Sequence, residues 1–221
     1  MIKVEEHIKE LISILKLNFG SRLLYVGLQG SYLRGEANEL SDLDIMVVID
    51  ALSVDDLALY RKIIQSLDYF DKSCGFICSQ ADLANWNPLE IFHLIHSTKD
   101  YFGELKTLVP EYTEQDIRNF VKMSINNLYH EICHRFVHSN DNKSISYLAG
   151  SYKGVFFILQ NLYYLKYKRF IPTKAELLQM LDNYDYVVLK RSIDLNNGMI
   201  HDFDESFELL FAWCQNTLVS L

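Results

Sequence analysis

The sequence predicts an α+β protein, with a small mixed β-sheet domain over residues 1–109 and an all-α helical bundle domain over residues 110–221. Two apolar runs of strand character lie within residues 23–49, and a shorter one covers residues 74–79. Pro110 and the polar residues that follow it interrupt this pattern. After them the strand signals vanish, and the apolar residues recur at helical spacing.

The first half places helices between its strands. An apolar stripe over residues 4–17 predicts an opening helix, and Gly20 is placed to end it. A second helix is predicted over residues 53–67, because Asp55 and Asp56 would lie in its first turn, where the helix dipole favours anions. Three shorter elements are expected further along: a helical turn at 82–86, a helix at 89–96 and an edge strand at 100–103. We expect these helices to cover one face of the sheet.

The second half is typical of a helical bundle. Thr113 with Asp116, and Thr173 with Glu176, form capping boxes that predict two of the helix starts. Residues 146–168 are apolar almost all round, which predicts one long central helix. The predicted helices cover residues 113–138, 146–168, 173–181, 184–195 and 203–218, with a polar loop at 139–143 and a turn at 196–198.

Charge and composition narrow the classes of function. The 221 residues include 49% hydrophobic residues and carry a net charge of −8, which is typical of a folded soluble protein but not of one that grips nucleic acid. No apolar run is long enough to span a membrane. Charged residues follow Met1 at once, so we expect no signal peptide and a cytoplasmic location. The four cysteines lack zinc-ligand spacing and are expected to be buried free thiols.

Two carboxylates open the second apolar run. Asp42 and Asp44 are two residues apart, so on a strand both point to one face while Leu43 and Ile45 point to the other. Adjacent carboxylates repel each other unless a cation lies between them. Mg²⁺ (or Mn²⁺) takes oxygen ligands and brings substrate phosphates with it, so the pair predicts a divalent metal site. The alternative is an Asp pair that merely faces solvent.

Gly30 and Ser31 end the preceding apolar run. A glycine there lets a phosphate approach the backbone closely, and free N–H groups with a hydroxyl make an anion-binding turn. Arg34 lies one turn further along. It either reaches a phosphate or is an exposed helix arginine, and the sequence leaves both interpretations open.

A Gly-Ser after a strand, the spacer 32–41 and an Asp-apolar-Asp on the next strand together resemble the nucleotidyltransferases of the DNA polymerase β superfamily, especially the minimal and antibiotic nucleotidyltransferases. A sheet domain followed by a bundle is similar to the kanamycin nucleotidyltransferase architecture, and the bundle is similar in pattern to HEPN-type domains. The resemblance implies that Asp42 and Asp44 bind Mg²⁺ while Gly30 and Ser31 hold the phosphates of an NTP.

One part of the family pattern is missing. The resemblance implies a third carboxylate on a neighbouring strand, but residues 74–79 contain none, and the nearest acids are Asp71 and Asp82 in expected loops. A residue of the helical half, such as Glu131, is then the candidate general base.

Lys153 is a lone cation in an otherwise apolar segment. A buried lysine needs an anionic partner, because an isolated charge in a core is costly. The resemblance implies a lysine from the helical half on the nucleotide phosphate, and Lys153 matches that by position. The alternative is a lysine that extends to the surface or pairs with a structural carboxylate.

His130, His134 and His138 recur every four residues on one helix face. This spacing permits a metal site, and a histidine-based metal hydrolase is a distant alternative function. A solvated polar stripe is the other interpretation.

The leading hypothesis is a Mg²⁺-dependent nucleotidyltransferase that moves a nucleoside monophosphate from an NTP to a hydroxyl of a small-molecule acceptor, such as an aminoglycoside-like antibiotic. The rival is a catalytically impaired nucleotide-binding or antitoxin-like module that lacks the third carboxylate. No nucleic-acid or membrane partner is expected. The sequence leaves open the acceptor, the base of the NTP and whether the protein is a homodimer.

Overall fold

The computed structural model describes residues 2–138, 145–199 and 201–221. The chain divides into two compact units, Met1–Tyr112 and Thr113–Leu221. The division falls after Tyr112, whereas the boundary predicted from the sequence followed residue 109. The polar loop predicted at 139–143 lies outside the described residues.

The N-terminal unit alternates helices with strands. Its elements are α1 (Val4–Phe19), β1 (Leu23–Leu28), α2 (Gly30–Arg34), β2 (Leu43–Ile49), α3 (Val54–Gln65), β3 (Ser73–Ser79), α4 (Gln80–Ala84), α5 (Pro88–His96) and β4 (Lys99–Phe102). Gly20 caps the end of α1 at a φ of 57°, as its position predicted. The short helix α2 was not predicted, because Gly30 and Ser31 were interpreted as a turn.

The four strands form one mixed sheet in the order β3-β2-β1-β4. β1 pairs antiparallel with β2 and β4, and β2 pairs parallel with β3. The predicted small mixed sheet is therefore confirmed, and it places β2 in the interior of the sheet with β3 at an edge.

Helical elements pack on both faces of this sheet. Ile45 and Val47 of β2 pack in one cluster with Leu11 of α1 and Ile63 of α3. Met46 and Val48, which alternate with them, pack in a second cluster with Leu83 of α4 and with part of α5. The expectation that helices cover one face only is wrong, because the short α4 and α5 return over the second face.

The C-terminal unit is all helical over its described residues. Its helices are α6 (Glu114–His138), α7 (Ile145–Tyr152), α8 (Val155–Tyr167), α9 (Lys174–Met180), α10 (Asn183–Asn196) and α11 (Phe203–Ser220). The capping box predicted at Thr113 and Asp116 is present, with the two residues bonded reciprocally before α6. At α9, Thr173 caps the helix by accepting from the backbone N–H of Glu176.

The single long helix predicted over residues 146–168 is wrong. The chain turns between α7 and α8, where the N–H of Lys153 bonds to the carbonyl of Gly150 at 3.2 Å. The carbonyl of Tyr152, which a continuous helix would pair internally, accepts a bond from the Ser192 hydroxyl at 2.8 Å. Glycines at both ends of the turn favour this break, since glycine weakens a helix interior.

Within the described ranges, no helix combines the length and the apolar character needed to cross a bilayer.

Candidate active site

The two aspartates lie at the start of β2. Asp44 is the second residue of β2, and Asp42 is the residue directly before the strand. Leu43 and Ile45 are 1% and 3% exposed and point into the core, so the aspartates project from the opposite face. Asp42 is exposed and Asp44 is half-buried. The two carboxylates thus lie at the start of an interior strand. Asp42 is in contact with solvent, and Asp44 is partly covered by protein.

Gly30 lies directly against Asp44. Its φ is 70°, in the left-handed region, and a Cβ at this position would overlap the Asp44 carboxylate. The backbone N–H of Gln29 donates to the carbonyl of Asp44 at 2.9 Å, which fixes the end of β1 on β2. The glycine is therefore required for two reasons: the backbone conformation, and the space that the carboxylate occupies.

Electrostatics at Asp44 favour a bound cation. Burial raises the pKa of the Asp44 carboxyl, a hydrogen bond with Cys74 opposes the shift, and the charge of Asp42 raises the pKa further. The charge of Arg34 has the smaller, opposite effect. A raised pKa means that the surroundings disfavour the charged form of the carboxylate, and a cation beside it would stabilise that form.

Arg34 is not an exposed helix arginine. It ends α2 and forms an ion pair with Glu36 at 2.9 Å, where the two side chains are only 17% and 21% exposed. The structure thus decides against one of the two interpretations that the sequence left open. Arg34 provides a fixed positive charge close enough to Asp44 to affect its pKa.

Cys74 lies beside Asp44 on the neighbouring strand. The parallel register of β2 and β3 pairs the Cα atoms of the two residues, and their side chains share a hydrogen bond. The residue of β3 that lies next to Asp44 is therefore a cysteine and not a carboxylate. Cys74 is exposed, which corrects the expectation that all the cysteines are buried, whereas Cys78 and Cys214 are buried as expected.

Of the two acids that flank β3, Asp82 does not replace the missing carboxylate. Asp82 caps α4, where it accepts from the backbone N–H and the hydroxyl of Ser79 at 3.1 and 2.6 Å, and these bonds lower its pKa. Asp71 is exposed in a 3₁₀ turn before β3. The Asp82 carboxylate is thus occupied by the capping bonds at the start of α4.

Residues 8–100 match the family model described as a nucleotidyltransferase domain. The matched segment contains Gly30, Ser31, Asp42 and Asp44. Most of the N-terminal unit therefore matches a nucleotidyltransferase domain.

Comparison with solved structures extends the fold likeness beyond the nucleotidyltransferase domain. A spectinomycin adenyltransferase from Enterococcus faecialis, solved with ATP and spectinomycin, is 16% identical with a TM-score of 0.58, covering 97% of this chain and 99% of that one. A toxin-antitoxin structure solved with AMP-PNP is 20% identical and covers 65% of this chain and 100% of that one, with a TM-score of 0.32. No curated protein sequence matches the chain. At such identity the first likeness establishes the fold alone: a domain with a mixed sheet followed by a helical unit.

Two predicted site residues lie in the helical unit rather than in the nucleotidyltransferase domain. Glu131 is exposed on α6, 3.7 Å from Arg135 and 3.4 Å from the Ser151 hydroxyl. Lys153 is exposed in the turn before α8. The exposure of Lys153 fits the alternative that it extends to the surface, and the turn interrupts the long helix that was predicted there. Roles for both residues at the aspartates stay predictions.

The histidine stripe of α6 faces solvent. His130, His134 and His138 are all exposed, with successive ring centroids 5.9 and 4.9 Å apart. Among residues 2–138, 145–199 and 201–221, no three His, Cys, Asp or Glu side chains are grouped so that they could hold a metal ion. The exposure of the three rings favours the solvated polar stripe.

The helical unit contains a cavity of 580 Å³. Trp213 and Leu159 line its apolar part, and Asp185, which accepts from the Trp213 indole at 2.8 Å, lines its polar part. None of the predicted site residues lines it. Its size falls in the range of small-molecule pockets, but nothing in its lining connects it to nucleotidyl transfer.

Replacing Asp44 with asparagine is expected to raise the melting temperature of the metal-free protein at pH 7. Because the folded-state pKa of Asp44 is raised, its charged form costs stability at neutral pH, and that cost disappears as the pH falls through the raised pKa. The gain should therefore shrink on acidification. Differential scanning calorimetry in a chelator measures both effects, with the exposed Asp55→Asn of α3 as control. A loss of stability in Asp44→Asn equal to that of the control would contradict the expectation.

Proposed function

We propose that the protein is a cytoplasmic, Mg²⁺-dependent (or Mn²⁺-dependent) nucleotidyltransferase that moves a nucleoside monophosphate from an NTP to a hydroxyl of a small-molecule acceptor. The observation that carries the proposal is the contact of Asp44 with Gly30, beside Asp42, inside a nucleotidyltransferase domain. A glycine in the left-handed region that makes room for a carboxylate is not needed to build a sheet. It supports a site in which carboxylate and phosphate approach the same backbone.

The residues present fit a divalent ion. Asp42 and Asp44 offer hard oxygen donors on one face of β2, and the raised pKa of Asp44 supports a cation beside it. These two side chains would hold the metal, which when bound neutralises charge on the phosphates of the nucleotide. Gly30 and Ser31 are proposed to hold the terminal phosphates through backbone N–H groups and the hydroxyl.

The fixed charge of Arg34 has a defined part in this proposal. Glu36 restrains the Arg34 guanidinium at 2.9 Å, so little side-chain entropy remains to be lost when a phosphate binds. Such a preorganised cation stabilises charge that develops on the leaving pyrophosphate. Lys153 and Glu131 of the helical unit are proposed as a second phosphate contact and as the general base, respectively.

The acceptor is proposed to be cationic. The net charge of −8 favours positively charged ligands over anionic ones, and the chain shares its fold with an adenyltransferase solved with spectinomycin. Pyrophosphate release tests the proposal: the protein is incubated with each NTP, Mg²⁺ and spectinomycin or an aminoglycoside. Acceptor-dependent release that is lost in chelator supports it. Nucleotide binding without release from any acceptor in the panel counts against it.

A second candidate function is a nucleotide-binding module without turnover. The observation that favours it is Cys74, which stands in register with Asp44 where a third carboxylate would complete the site. Such a protein would bind NTP and metal through the aspartates, and its function would depend on nucleotide binding alone, without transfer to an acceptor. A homodimer would suit such a role and stays a prediction.

Cys74→Glu distinguishes the two candidates. A carboxylate in register with Asp44 adds an oxygen ligand, so it should raise the metal affinity by about tenfold, while Cys74→Ser should not. If the second candidate is right, only Cys74→Glu releases pyrophosphate. Acceptor-dependent release of pyrophosphate by the wild-type protein would exclude the second candidate. Calorimetry gives the metal affinity, and a coupled phosphate assay gives the release.

A further inference from the structure

The loop between α2 and β2 leads the chain to Asp42. Residues 38–40 of this loop are all exposed, and the side chain of Leu40 is 89% exposed. Burial of apolar side chains therefore does little to fix this part of the loop on the domain. Asp42 directly precedes β2, so its position depends on the path of the loop as well as on the strand.

Hydrogen bonds within the loop fold it into a turn. The side-chain oxygen of Asn38 accepts from the backbone N–H of Leu40 at 2.9 Å, and the Ser41 hydroxyl accepts from the N–H of Asn38 at 2.9 Å. The N–H of Ser41 donates to the Asn38 carbonyl at 3.1 Å. An asparagine that bonds to the backbone two residues on stabilises such a turn. All three bonds lie within residues 38–41, so they shape the loop but do not attach it to the sheet.

Lys72 attaches the loop to the sheet. It lies directly before β3, and its ammonium group donates to the backbone carbonyl of Glu39. Within the described residues, this is the one hydrogen bond that joins residues 37–41 to another part of the domain. The exposed loop is therefore connected to the rest of the domain through a single side chain between its two ends.

The backbone of Lys72 is fixed independently of the loop. Its N–H donates at 2.9 Å to the carbonyl three residues earlier, and the next residue, Ser73, starts β3 in register with Leu43 of β2. Lys72 and Asp42 are thus the two residues directly before a pair of the parallel ladder. The Asp42 backbone is restrained on both sides, by the pairing of Leu43 and by the bond at Glu39.

We propose that Lys72 is a positioning residue for the metal site, which acts through Glu39 to fix the position of Asp42. The inference deepens the proposed function and rests on it, since it concerns the metal that Asp42 and Asp44 are proposed to hold. β3 supplies a cysteine and not a carboxylate beside Asp44, so the site depends on the placement of both aspartates. Residues that orient a metal ligand affect the metal affinity although they do not bind the metal.

The charge of Lys72 lets the sign of the effect decide between two roles. A lysine that acted on the site only through its charge would repel a divalent cation, so its removal would raise the metal affinity. A lysine that positions Asp42 has the opposite effect. Without it, the loop must be ordered when the metal binds, and this entropic cost lowers the affinity.

Titration of Mn²⁺ into the full chain without nucleotide measures this affinity, with electron paramagnetic resonance reporting the free ion. We expect Lys72→Met to lower the affinity by about tenfold, which is typical of the loss of a residue that orients a metal ligand. Lys72→Arg keeps a charged donor and should restore most of the affinity. Lys62→Met, which removes an exposed lysine from the last turn of α3, should bind Mn²⁺ as the wild type does.

Hydrogen exchange followed by mass spectrometry tests the connection of the loop in the absence of metal. In Lys72→Met, the backbone amides of residues 36–42 should exchange faster than in the wild type, because the loop has lost its bond to the sheet. The amides of β1 should exchange at an unchanged rate. This comparison separates a local change in the loop from a general loss of stability.

Two results would overturn the inference: a Mn²⁺ affinity in Lys72→Met equal to or above that of the wild type, or unchanged exchange in residues 36–42. If the wild type binds Mn²⁺ and Lys72→Met binds it equally well, the positioning role fails and the proposed function is unaffected. If the wild type binds no Mn²⁺, the proposed metal site fails, and the role of Lys72 fails with it.

Discussion

Replacing Gly30 with alanine is expected to lower the affinity for NTP and Mg²⁺ by on the order of tenfold to a hundredfold, the cost typical of displacing a metal ligand through its supporting neighbour. The new methyl group would overlap the carboxylate of Asp44, so the side chain must rotate away from the position that it shares with Asp42. Isothermal titration calorimetry with NTP in the presence of Mg²⁺ measures the loss.

Gly35→Ala is the matched control for this prediction. Gly35 ends α2 at a φ of 68°, almost the same as the 70° of Gly30, but a Cβ there meets nothing within 4 Å. Both substitutions place a side chain at a positive φ, which costs about 1 kcal/mol in the left-handed helical region of Gly35. Only Gly30→Ala displaces Asp44. Equal loss of nucleotide affinity in the two variants would show that backbone strain, and not the carboxylate, is responsible.

Replacing Gly75 with alanine is expected to destabilise the nucleotidyltransferase domain by about 3 kcal/mol or more. Gly75 has a φ of 105°, and a Cβ would overlap the backbone carbonyl of Ile45 on the paired strand. Because a backbone atom cannot rotate away as a side chain can, β3 must separate from β2 beside Asp44. Chemical denaturation followed by circular dichroism measures the change in the free energy of unfolding.

Gly35→Ala provides the comparison for Gly75. It introduces a Cβ in the left-handed helical region, at a φ of 68° and a ψ of 21°, with nothing within 4 Å, so it should cost about 1 kcal/mol. Similar losses in the two variants would contradict the close approach of β2 and β3 at this point.

Much of the aspartate site could be predicted because its signals are local. The spacing of Asp42 and Asp44 fixes their common face once the segment is a strand, and the apolar run that follows Asp44 predicts a strand. The position of Gly30 suggested a close approach, but the sequence indicated a phosphate as the neighbour. The structure adds a second neighbour, the carboxylate of Asp44, which depends on how β1 and β2 pair.

Features that depend on pairing between distant segments could not be predicted. The contact of Cys74 with Asp44 follows from the parallel register of β2 and β3, and nothing near either residue specifies that register. The break at Lys153 was missed because apolar residues continue across it. It is stabilised by the Ser192 hydroxyl, 40 residues away in the sequence. The exposure of Lys153 follows from that break.

Calorimetric titration of NTPs with Mg²⁺ into the wild-type protein and into Asp42→Asn/Asp44→Asn tests the proposed metal site most directly. We expect binding to the wild type that disappears in a chelator and in the double variant, because the two aspartates at the start of β2 would hold the metal that brings the phosphates. Nucleotide binding of equal affinity in the double variant, or no binding to the wild type with any divalent metal, would contradict the proposed site.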